Sequence, residues 1–596
     1  MHINTFCIKY NRYLALIIIA LSFCLYCNTL FNEYALDDIL VINDNEFVKQ
    51  GIDGIPEIIT TDFFLGYENV ENDLAGGRYR PFSLVVFAIE YQLFGESPLI
   101  GHLINLLLYA LLVFMLFRFL NAFVFKESQL LSFLSVLIFT VHPIHTEVVA
   151  NIKSRDEIIA LLLLVVAMYS YFKHTLIKRN MLFLIAGLFC FFLALLTKES
   201  AITFLGIVPL LLYFFNDKSL KHASLLTLPF VFVTAGYLLV RNMVVGFESG
   251  QAGEILNAPF LYATAAQAFA TKIFVLGKYL GLLVFPHPLS YDYSYNQIPY
   301  LELFDFRFFI SLLMNSFLLV YAIMQFKKKS VLSFSIIFYF ITISIVSNFA
   351  VDIGAPMADR LLFQPSLGFS IAFGAIIMKI IGNKKKLGWG LVGLMVFAGS
   401  FKTISRNLDW KNNNILFLKD VEACPNSAKT NMNAAVSYLR LAKEENDVVR
   451  KEELLLQGIE YGKKSLKIHP DYVDALLNLG VIYFNLDDLD NTAEVWLRAK
   501  ELMPLHPNCK KFTEGLSGVY LKKGYALYEQ GSVDSAIDYY QRSLKLNPRN
   551  AETWYNLGGN YLLKSDTVSA LNAWGNVLKI EPNHLSAKEW IEKVNN

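Results

Sequence analysis

Long apolar segments recur through the first two thirds of this chain, and they restrict its possible folds more than any other feature. A spanning helix needs about 20 mostly apolar residues, and the candidate segments are 12–31, 98–120, 129–146, 157–174, 181–197, 200–215, 223–245, 304–326, 331–350, 361–381 and 387–403. A further segment, 262–286, contains Lys272 and Lys278, and the sequence leaves open whether it spans the membrane or lies along its surface. We therefore predict an all-α, polytopic bundle of about eleven transmembrane helices.

The chain divides into two parts that suit different solvents. Only 17% of its residues are charged and 55% are hydrophobic, whereas a soluble globular chain is about 25% charged. The apolar segments lie in residues 1–403, while residues 424–596 have the composition of a soluble helical domain. We expect a transmembrane domain over 1–403, a linker over 404–423 and a water-exposed domain over 424–596. The net charge of +1 argues against nucleic acid as a partner.

Clusters of Lys and Arg indicate which side of the membrane each loop faces, because cytoplasmic loops carry an excess of these residues. With the N-terminus inside and 262–286 left out of the count, one side receives Arg118, Lys126, Lys173, Lys178, Arg179, Lys218, Lys221, Lys327–Lys329 and Lys384–Lys386. The other side receives the acidic first external loop, 32–97, and the C-terminal domain. We predict that this second side is extracytoplasmic.

The C-terminal domain carries an internal repeat of 34 residues, the spacing that separates Pro470 from Pro504 and Pro548 from Pro582. The last full unit matches the tetratricopeptide (TPR) pattern at Trp554, Leu557, Gly558, Tyr561, Ala570 and Pro582. Small residues let the two helices of a unit cross closely, and proline ends the second helix. We predict a TPR α-solenoid whose groove binds a protein. The alternative is a spacer or an assembly platform.

Ionisable residues close to lipid are costly and suggest function, and here they gather on the predicted extracytoplasmic side. The positions are Asp37, Asp38, Arg78, Arg80, His102, His142, His145, Glu147, Lys153, Arg155, Asp156, Lys198, Glu199, Asp352, Asp359 and Arg360. The alternative interpretation is that they are solvated loop charges and interfacial anchors. His142 and His145 could suggest zinc, but two histidines without a third ligand favour helix capping or hydrogen bonding.

A carboxylate that faces Arg and Lys beside a membrane suits a sugar donor in which a lipid phosphate is the leaving group. The cations would neutralise the phosphate as its bond to the sugar breaks. The carboxylate would take the proton of an incoming hydroxyl. A base placed opposite the leaving group implies inversion at the sugar carbon. The extracytoplasmic side also excludes nucleotide sugars as donors, since these are cytoplasmic.

Several segments, in order along nearly the whole chain, resemble those of a known family. They are YALDDILVINDNEFV, RYRPFSLVVFAIEYQLFG, GHLINLLLYALL, HPIHTEVVANIKSRDE, LTKESAITFLG, LSYDYSYNQIP and PMADRLLFQPSLGF, followed by the TPRs. The chain thereby resembles the transmembrane and tetratricopeptide-repeat-containing protein O-mannosyltransferases, within the GT-C glycosyltransferase superfamily. The resemblance implies a GT-C-type bundle, a polyprenyl- or dolichyl-phosphate mannose donor and a Ser/Thr acceptor on a protein.

The resemblance also implies roles for particular residues. The acidic pair Asp37 and Asp38 would carry the catalytic base, with Asp37 favoured, and Glu147 would be a second acidic position. Contacts to the donor phosphate would come from among Arg78, Arg80, Lys153, Arg155, Lys198 and Arg360. The remaining pocket would include His102, His142, His145, Glu199, Tyr291 and Tyr293. Related enzymes generally need no catalytic metal or other cofactor, although a divalent metal is not excluded.

The sequence contains no Asn-x-Ser/Thr glycosylation signal, which favours a bacterial inner membrane protein with periplasmic repeats over an ER protein with lumenal repeats. The expected partners are the lipid-phosphate sugar, an acceptor protein in the TPR groove and membrane lipids. Two alternatives stay open. One is a GT-C transferase that acts on a cell-envelope glycan or lipid, and the other is a non-enzymatic TPR scaffold in the membrane.

Overall fold

A computed structural model describes residues 11–67, 77–246 and 254–595, and these residues form helices and loops without a named strand. Part of the predicted first external loop, 68–76, lies outside the described residues. The chain comprises two compact units, Met1–Thr430 and Asn431–Asn596. The predicted linker, 404–423, is largely helical and lies in the first unit. The all-α prediction is confirmed.

The helices of the first unit follow the apolar segments. They are α1 (Asn11–Tyr26), α2 (Glu46–Lys49), α3 (Ile55–Thr60), α4 (Pro81–Phe94), α5 (Pro98–Phe119), α6 (Gln129–Val141), α7 (Thr146–Ala150), α8 (Arg155–Phe172), α9 (Met181–Thr197), α10 (Phe204–Phe215), α11 (Leu220–Val245), α12 (Ala265–Val284), α13 (Phe306–Phe326), α14 (Val331–Ser344), α15 (Pro365–Asn383), α16 (Lys385–Asp409) and α17 (Asn413–Ala423). The next helix, α18 (Ala428–Glu444), begins in the first unit and continues into the second.

Among the described residues, eight helices are long and apolar enough to cross a membrane. They are Arg12–Phe31, Pro98–Val124, Arg155–Ile177, Leu220–Val245, Ala265–Val284, Phe306–Phe326, Pro365–Asn383 and Lys385–Asp409. A ninth span is possible if α6 and the segment Pro143–Ala150, which meet at a bend of 54°, count as one. These helices identify a membrane protein. Helices form at all eleven predicted segments, but α9, α10 and α14 have only 17, 12 and 14 residues.

Side-chain contacts sort the loops of the first unit into two opposite faces. On one face, Lys126 Nζ donates to Asn216 Oδ1 at 2.7 Å, and Lys329 Nζ lies 3.7 Å from an Asp217 carboxylate oxygen. We call this the lysine face and define it by residues 125–128, 216–219 and 327–330. The opposite face, which we call the site face, holds residues 33–45, 77–80, 142–156, 198–203 and 352–362, which ion pairs join to one another. The predicted cytoplasmic and extracytoplasmic loops thus separate in space.

Helix α12 has the length and composition of a span, but its contacts place it along the site face. Before it, Arg241 Nη2 donates to the carbonyl of Gly77 at 2.7 Å. After it, the Ser290 N–H donates to Asp359 at 3.0 Å. Within it, the Tyr279 hydroxyl accepts the N–H of Ala358 at 3.0 Å. The chain therefore enters and leaves α12 at one face, as expected for a helix at the membrane surface.

The second unit is built from antiparallel helix pairs. Its helices are α19 (Val448–Ile468), α20 (Val473–Asn485), α21 (Leu489–Leu502), α22 (Pro507–Glu529), α23 (Val533–Leu546), α24 (Ala551–Leu563), α25 (Thr567–Ile580) and α26 (Leu585–Asn595). Within three pairs a glycine of the first helix faces an aromatic ring of the second: Gly480 with Trp496, Gly524 with Tyr540 and Gly558 with Trp574. A proline follows the ends of α21, α23 and α25. The predicted TPR architecture is confirmed.

Candidate active site

The predicted site residues converge on the site face because the loops that carry them join neighbouring helices at the same end of the bundle. Four ion pairs link distant parts of the sequence there. They join Asp37 to Lys153, Arg80 to Glu199, Asp156 to Lys198 and Glu147 to Arg360. Charged side chains from five segments of the chain thus form one cluster, which apolar helices position at the edge of the bundle.

The two adjacent aspartates have different environments. Asp38 is fully buried, and its carboxylate accepts the N–H groups of Ala35 and Lys153 at 3.0 and 2.6 Å and the amide of Asn151 at 2.9 Å. Burial raises the pKa of Asp38 to about 7, although the backbone N–H groups of Ala35 and Lys153 lower it in part. The side chain of Asp37, in contrast, is 36% exposed. Asp38 therefore holds the loop in place, and Asp37 is the accessible carboxylate.

Four cations act on the carboxylate of Asp37. The nearest is Lys153, whose Nζ lies 3.8 Å from Oδ2. Burial raises the pKa of Asp37, but Lys153, Arg360, Lys429 and Arg78 together lower it more, so that it lies below its usual value. Lys429, in the first turn of α18, was not predicted, because nothing in the sequence relates it to a loop almost 400 residues earlier.

Among the cations near Asp37, Arg78 has no carboxylate within ion-pair distance in the described part of the chain. Its guanidinium lies over the ring of Phe64, 5.4 Å from the ring centre. The Cβ of a residue introduced at Gly354 would lie 3.6 Å from Nη2 of Arg78. Arg78 is therefore held by an aromatic ring, and its donors can serve an anion.

Glu147 is used to position Arg360. Its two carboxylate oxygens accept Nη1 of Arg360 at 2.6 Å and the backbone N–H of Arg360 at 3.1 Å. The side chain of Glu147 is only 4% exposed, whereas that of Arg360 is 25% exposed. The contacts therefore indicate that Glu147 orients Arg360 from behind, rather than facing a substrate itself.

Arg80 and Lys198, both predicted to bind phosphate, already have carboxylate partners. Arg80 Nε lies 2.8 Å from Glu199 and its Nη1 lies 3.4 Å from Asp156. Lys198 Nζ lies 3.4 Å from Asp156 and 2.6 Å from Glu157, and it is 6% exposed. Both cations are therefore held by carboxylates within the cluster.

Arg155 is a structural residue in this fold. It is fully buried, donates through Nε to Asn105 at 2.5 Å and through Nη2 to the carbonyl of Gly101 at 2.9 Å, and pairs with Glu90. Its guanidinium also stacks over Phe87. The prediction that Arg155 contacts the donor phosphate does not fit these contacts, because all of its guanidinium nitrogens are engaged inside the bundle.

The three predicted histidines are buried. His142 accepts the N–H of Ile144 at 3.2 Å and its Nε2 lies 2.9 Å from the carbonyl of Leu283, so it caps the turn that follows. His145 is hydrogen-bonded to Tyr109 and to Ser366, and His102 is 1% exposed near the start of α5. In the described ranges, no three His, Cys, Asp or Glu side chains form a group that could hold a metal ion.

Tyr291 and Tyr293 support the site from one side. Tyr293 donates its hydroxyl to Asp359 at 2.9 Å, and the Tyr291 N–H donates to Asp420 at 2.7 Å. Both tyrosines are at most 5% exposed. Asp420 also accepts two hydrogen bonds from Arg406, at 2.5 and 2.8 Å. Neither Arg406 nor Asp420 was predicted, although a charged residue at the end of an apolar helix was the signal available.

Comparison with known proteins agrees with the resemblance carried by the motifs. A family model described as a TPR repeat matches residues 524–563. Human protein O-mannosyl-transferase TMTC3 is 23% identical over 94% of this chain and 67% of its own length. Human TMTC1 is 27% identical over 77% of this chain and 55% of its own length. A protein O-mannosyl-transferase of Caenorhabditis elegans, F38B6.6, is 26% identical over 70% of this chain.

The resemblance to the protein O-mannosyl-transferases is confirmed. The chain spans about half to two thirds of the length of these curated relatives. Solved structures that match include MamA, 19% identical over 31% of this chain and 96% of its own, with a TM-score of 0.18. YrrB, a TPR protein, is 18% identical over 36% of this chain and 97% of its own, with a TM-score of 0.17.

The geometry of the cluster is suited to proton transfer beside an anion. Asp37 is ionised at neutral pH, because its pKa lies below the usual value, and its side chain is partly exposed. Arg78 and Lys429 are cations near it that lack a close carboxylate partner among the described residues. An acceptor hydroxyl and a phosphate could therefore be bound side by side here, without breaking the buried ion pairs.

Proposed function

We propose that the protein is a membrane-bound glycosyltransferase that moves mannose from a polyprenyl or dolichyl phosphate to Ser or Thr hydroxyls of extracytoplasmic proteins. The observation that carries this proposal is the accessible Asp37 carboxylate among Lys153, Arg360, Lys429 and Arg78. The similarity to proteins named protein O-mannosyl-transferases supports the sugar and the acceptor.

Asp37 is the general base in this proposal. The hydroxyl of the acceptor attacks C1 of the sugar, a C1–O bond to the protein forms, and the C1–O bond to the lipid phosphate breaks. Asp37 takes the hydroxyl proton as this bond forms, and a positioned base of this kind contributes about 10²–10⁴ in rate. The phosphate leaves from the face opposite the attack, so the configuration at C1 inverts.

The cations stabilise the leaving phosphate. Charge-assisted hydrogen bonds from Arg and Lys to phosphate are short and strong, and they strengthen as negative charge develops on the leaving oxygen. Arg78, Arg360, Lys153 and Lys429 are the candidates, because these are the cations that lower the pKa of Asp37. We propose that these side chains supply the positive charge without a resident metal ion, so that transfer should persist in a chelator.

The TPR unit recruits the acceptor protein in this proposal, and the site face is extracytoplasmic. TPR solenoids present extended concave surfaces that bind other chains. The lysine face carries the Lys and Arg excess expected of cytoplasmic loops. We favour a bacterial inner membrane with periplasmic repeats and a polyprenyl phosphate donor, and an ER membrane with lumenal repeats is the corresponding arrangement in a eukaryote.

The test is a transfer assay with purified protein, radiolabelled polyprenyl-phosphate mannose and secreted proteins from a deletion strain. We expect Asp37→Asn to reduce transfer by at least about 100-fold while the protein inserts normally. Asp53→Asn, an exposed aspartate in the same loop, is the matched control and should retain activity. Full activity of Asp37→Asn would contradict the role of base. Labelled envelope glycan or lipid without labelled protein would contradict the proposed acceptor.

A further inference from the structure

An apolar groove runs between α9 and α11 on the outside of the helix bundle. Its cavity volume is about 410 Å³, within the range of about 300–1,000 Å³ that is usual for ligand pockets. The lining residues are Ile185, Leu188, Phe189, Phe192, Val233 and Gly236, all without a polar side chain. The groove therefore suits a hydrocarbon ligand.

The groove is open at Gly236, where α11 lacks a side chain. Only 28% of the apolar stretch of α11 is buried. A side-chain carbon placed on Gly236 would have no described atom within 4 Å. On the opposite wall, Ile185 and Phe189 are 60% and 59% exposed, and they stand as a ridge along α9. A chain lying over Gly236 would thus be bordered by Phe189 and Phe192.

Both walls of the groove lead to the charged cluster. On α11, Arg241 lies five residues beyond Gly236, about 7.5 Å along the axis, and donates to the carbonyl of Gly77, next to Arg78. On α9, the helix ends at Thr197, and Lys198 follows with its ion pairs to Asp156 and Glu157. A ligand in the groove could therefore place a charged headgroup beside Arg78.

We propose that this groove binds the isoprenoid chain of the lipid-phosphate donor, with the phosphate directed to the cations near Asp37. The inference rests on the proposed function and adds the position of the lipid. It commits to a single isoprenoid chain because an apolar groove between two helices that both run on toward the cations is complementary to an isoprenoid phosphate. An ordinary phospholipid in the same groove is an outcome that the test must distinguish.

Comparing donors of different chain length distinguishes an effect on lipid binding in the groove from an effect on the transfer reaction. We compare a long-chain polyprenyl-phosphate mannose with a short-chain analogue of two isoprene units, which keeps the phosphate and the sugar but lacks most of the chain that would lie in the groove. Gly236→Trp should lower kcat/KM for the long-chain donor by about tenfold or more and leave the short-chain donor within about twofold. The matched control is Gly393→Trp on α16, a helical glycine that also has no described atom within 4 Å of an added carbon.

A second measurement tests the groove without relying on transfer or on a variant. Wild-type protein is irradiated with a polyprenyl phosphate that carries a diazirine in its third isoprene unit and no sugar. We expect labelled peptides from α9 or α11, and we expect excess polyprenyl phosphate to compete, whereas phosphatidic acid with two acyl chains should not.

The outcomes distinguish this proposal from the proposed function. Equal loss with both donors, an equal effect of Gly393→Trp, or no effect of Gly236→Trp would overturn the groove assignment. Labelling elsewhere in the bundle, or equal competition by phosphatidic acid, would also overturn it. Specific labelling of the groove without sugar transfer by the wild type would support the groove and contradict the transferase.

Discussion

Adjacent residues of one type can take opposite roles, as Asp37 and Asp38 show. Their carboxylates have different neighbours. Asp38 accepts hydrogen bonds from two backbone N–H groups and from the amide of Asn151, while Asp37 lies 3.8 Å from the Nζ of Lys153. The sequence favoured Asp37 on resemblance alone. The contacts add a physical reason, because a carboxylate engaged with buried donors cannot also approach an acceptor hydroxyl.

The Glu147–Arg360 pair leads to a prediction that separates stability from activity. Glu147→Gln leaves the Arg360 guanidinium without its partner, so we expect a loss of about 1–3 kcal/mol in the free energy of unfolding. Adding Arg360→Gln should recover part of this loss, because no uncompensated charge stays buried. Transfer should stay low in the double variant, since Arg360 no longer reaches the phosphate.

Thermal unfolding in detergent, read beside the transfer assay, checks this prediction. Glu57→Gln, an exposed residue of α3, is the control for removing one negative charge from the same face and should change neither readout. An unchanged melting temperature in Glu147→Gln would show that the pair does not contribute to the folded state. Full transfer in the double variant would exclude Arg360 from phosphate binding.

Asp359 should make stability depend on pH. Burial and the neighbouring Glu147 raise its pKa to about 8, although Tyr293 donates to it and lowers the value in part. The folded state therefore keeps a proton that the unfolded state releases above its pKa of about 4. Stability contributed by this group falls as pH rises from about 4 to 8 and is constant above that.

Asp359→Asn removes this dependence, because the amide does not titrate. The difference in melting temperature, variant minus wild type, should increase between pH 5 and pH 8 whatever its absolute value. Asp352→Asn, an exposed aspartate of the same loop, is the control and should give a constant difference. A constant difference for Asp359→Asn as well would mean that Asp359 is already ionised in the folded protein at pH 5.

At the scale of helices, close packing is decided by single glycines. An added carbon on Gly558 would lie 2.5 Å from Nε1 of Trp574, which is 1% exposed and donates to the carbonyl of Tyr555. At the neighbouring Gly559, an added carbon meets no described atom within 4 Å. The TPR pattern predicted the close crossing at Gly558 correctly, because spacing alone determines which glycine faces the partner helix.

This contrast gives a matched pair of substitutions. Gly558→Ala should destabilise the repeat unit by about 1–3 kcal/mol through overpacking. Gly559→Ala should stabilise it by up to about 1 kcal/mol, because alanine favours the helix. Denaturant unfolding of the full chain, followed by tryptophan fluorescence, measures both. Equal effects of the two substitutions would contradict the packing of α24 against α25.

The length and composition of a helix do not determine whether it crosses the membrane. Helix α12 is 20 residues long and apolar, yet residues before and after it contact the same face. Helix α14 has only 14 residues, and it joins the lysine face to the site face. Contacts made by the flanking loops show whether a helix crosses the membrane, because the loops before and after a crossing helix lie on opposite faces.

For the whole molecule, these contacts predict the sidedness of every loop. In a chain whose own cysteines are replaced by serine, we would introduce single cysteines at Tyr262, Phe304 and Lys328. Tyr262 and Phe304, which flank α12, are 66% and 90% exposed. Both should react with an impermeant maleimide from the extracytoplasmic side, and Lys328→Cys should react only after the membrane is opened.

Lys588→Cys, in the repeats, should react with the impermeant maleimide from the same side as Tyr262→Cys, because the repeats are predicted to lie on the extracytoplasmic side. Labelling of Tyr262→Cys and Phe304→Cys from opposite sides would show that α12 spans the membrane and would reverse the orientation of everything that follows. Labelling of the site face from the cytosol would exclude the proposed lipid-phosphate chemistry there.

The sequence by itself determined the helices, the separation of the loops into two faces and the repeat of helix pairs. It could do so because long apolar segments must be buried in lipid and because a 34-residue period sets which residues meet. Only the tertiary structure decided which charges are paired, as Arg155 is inside the bundle and Glu147 behind Arg360, and which cation, Lys429, acts on Asp37 without a close ion pair. These partners come from loops far apart in the chain, and only the closure of the bundle brings them within reach of each other.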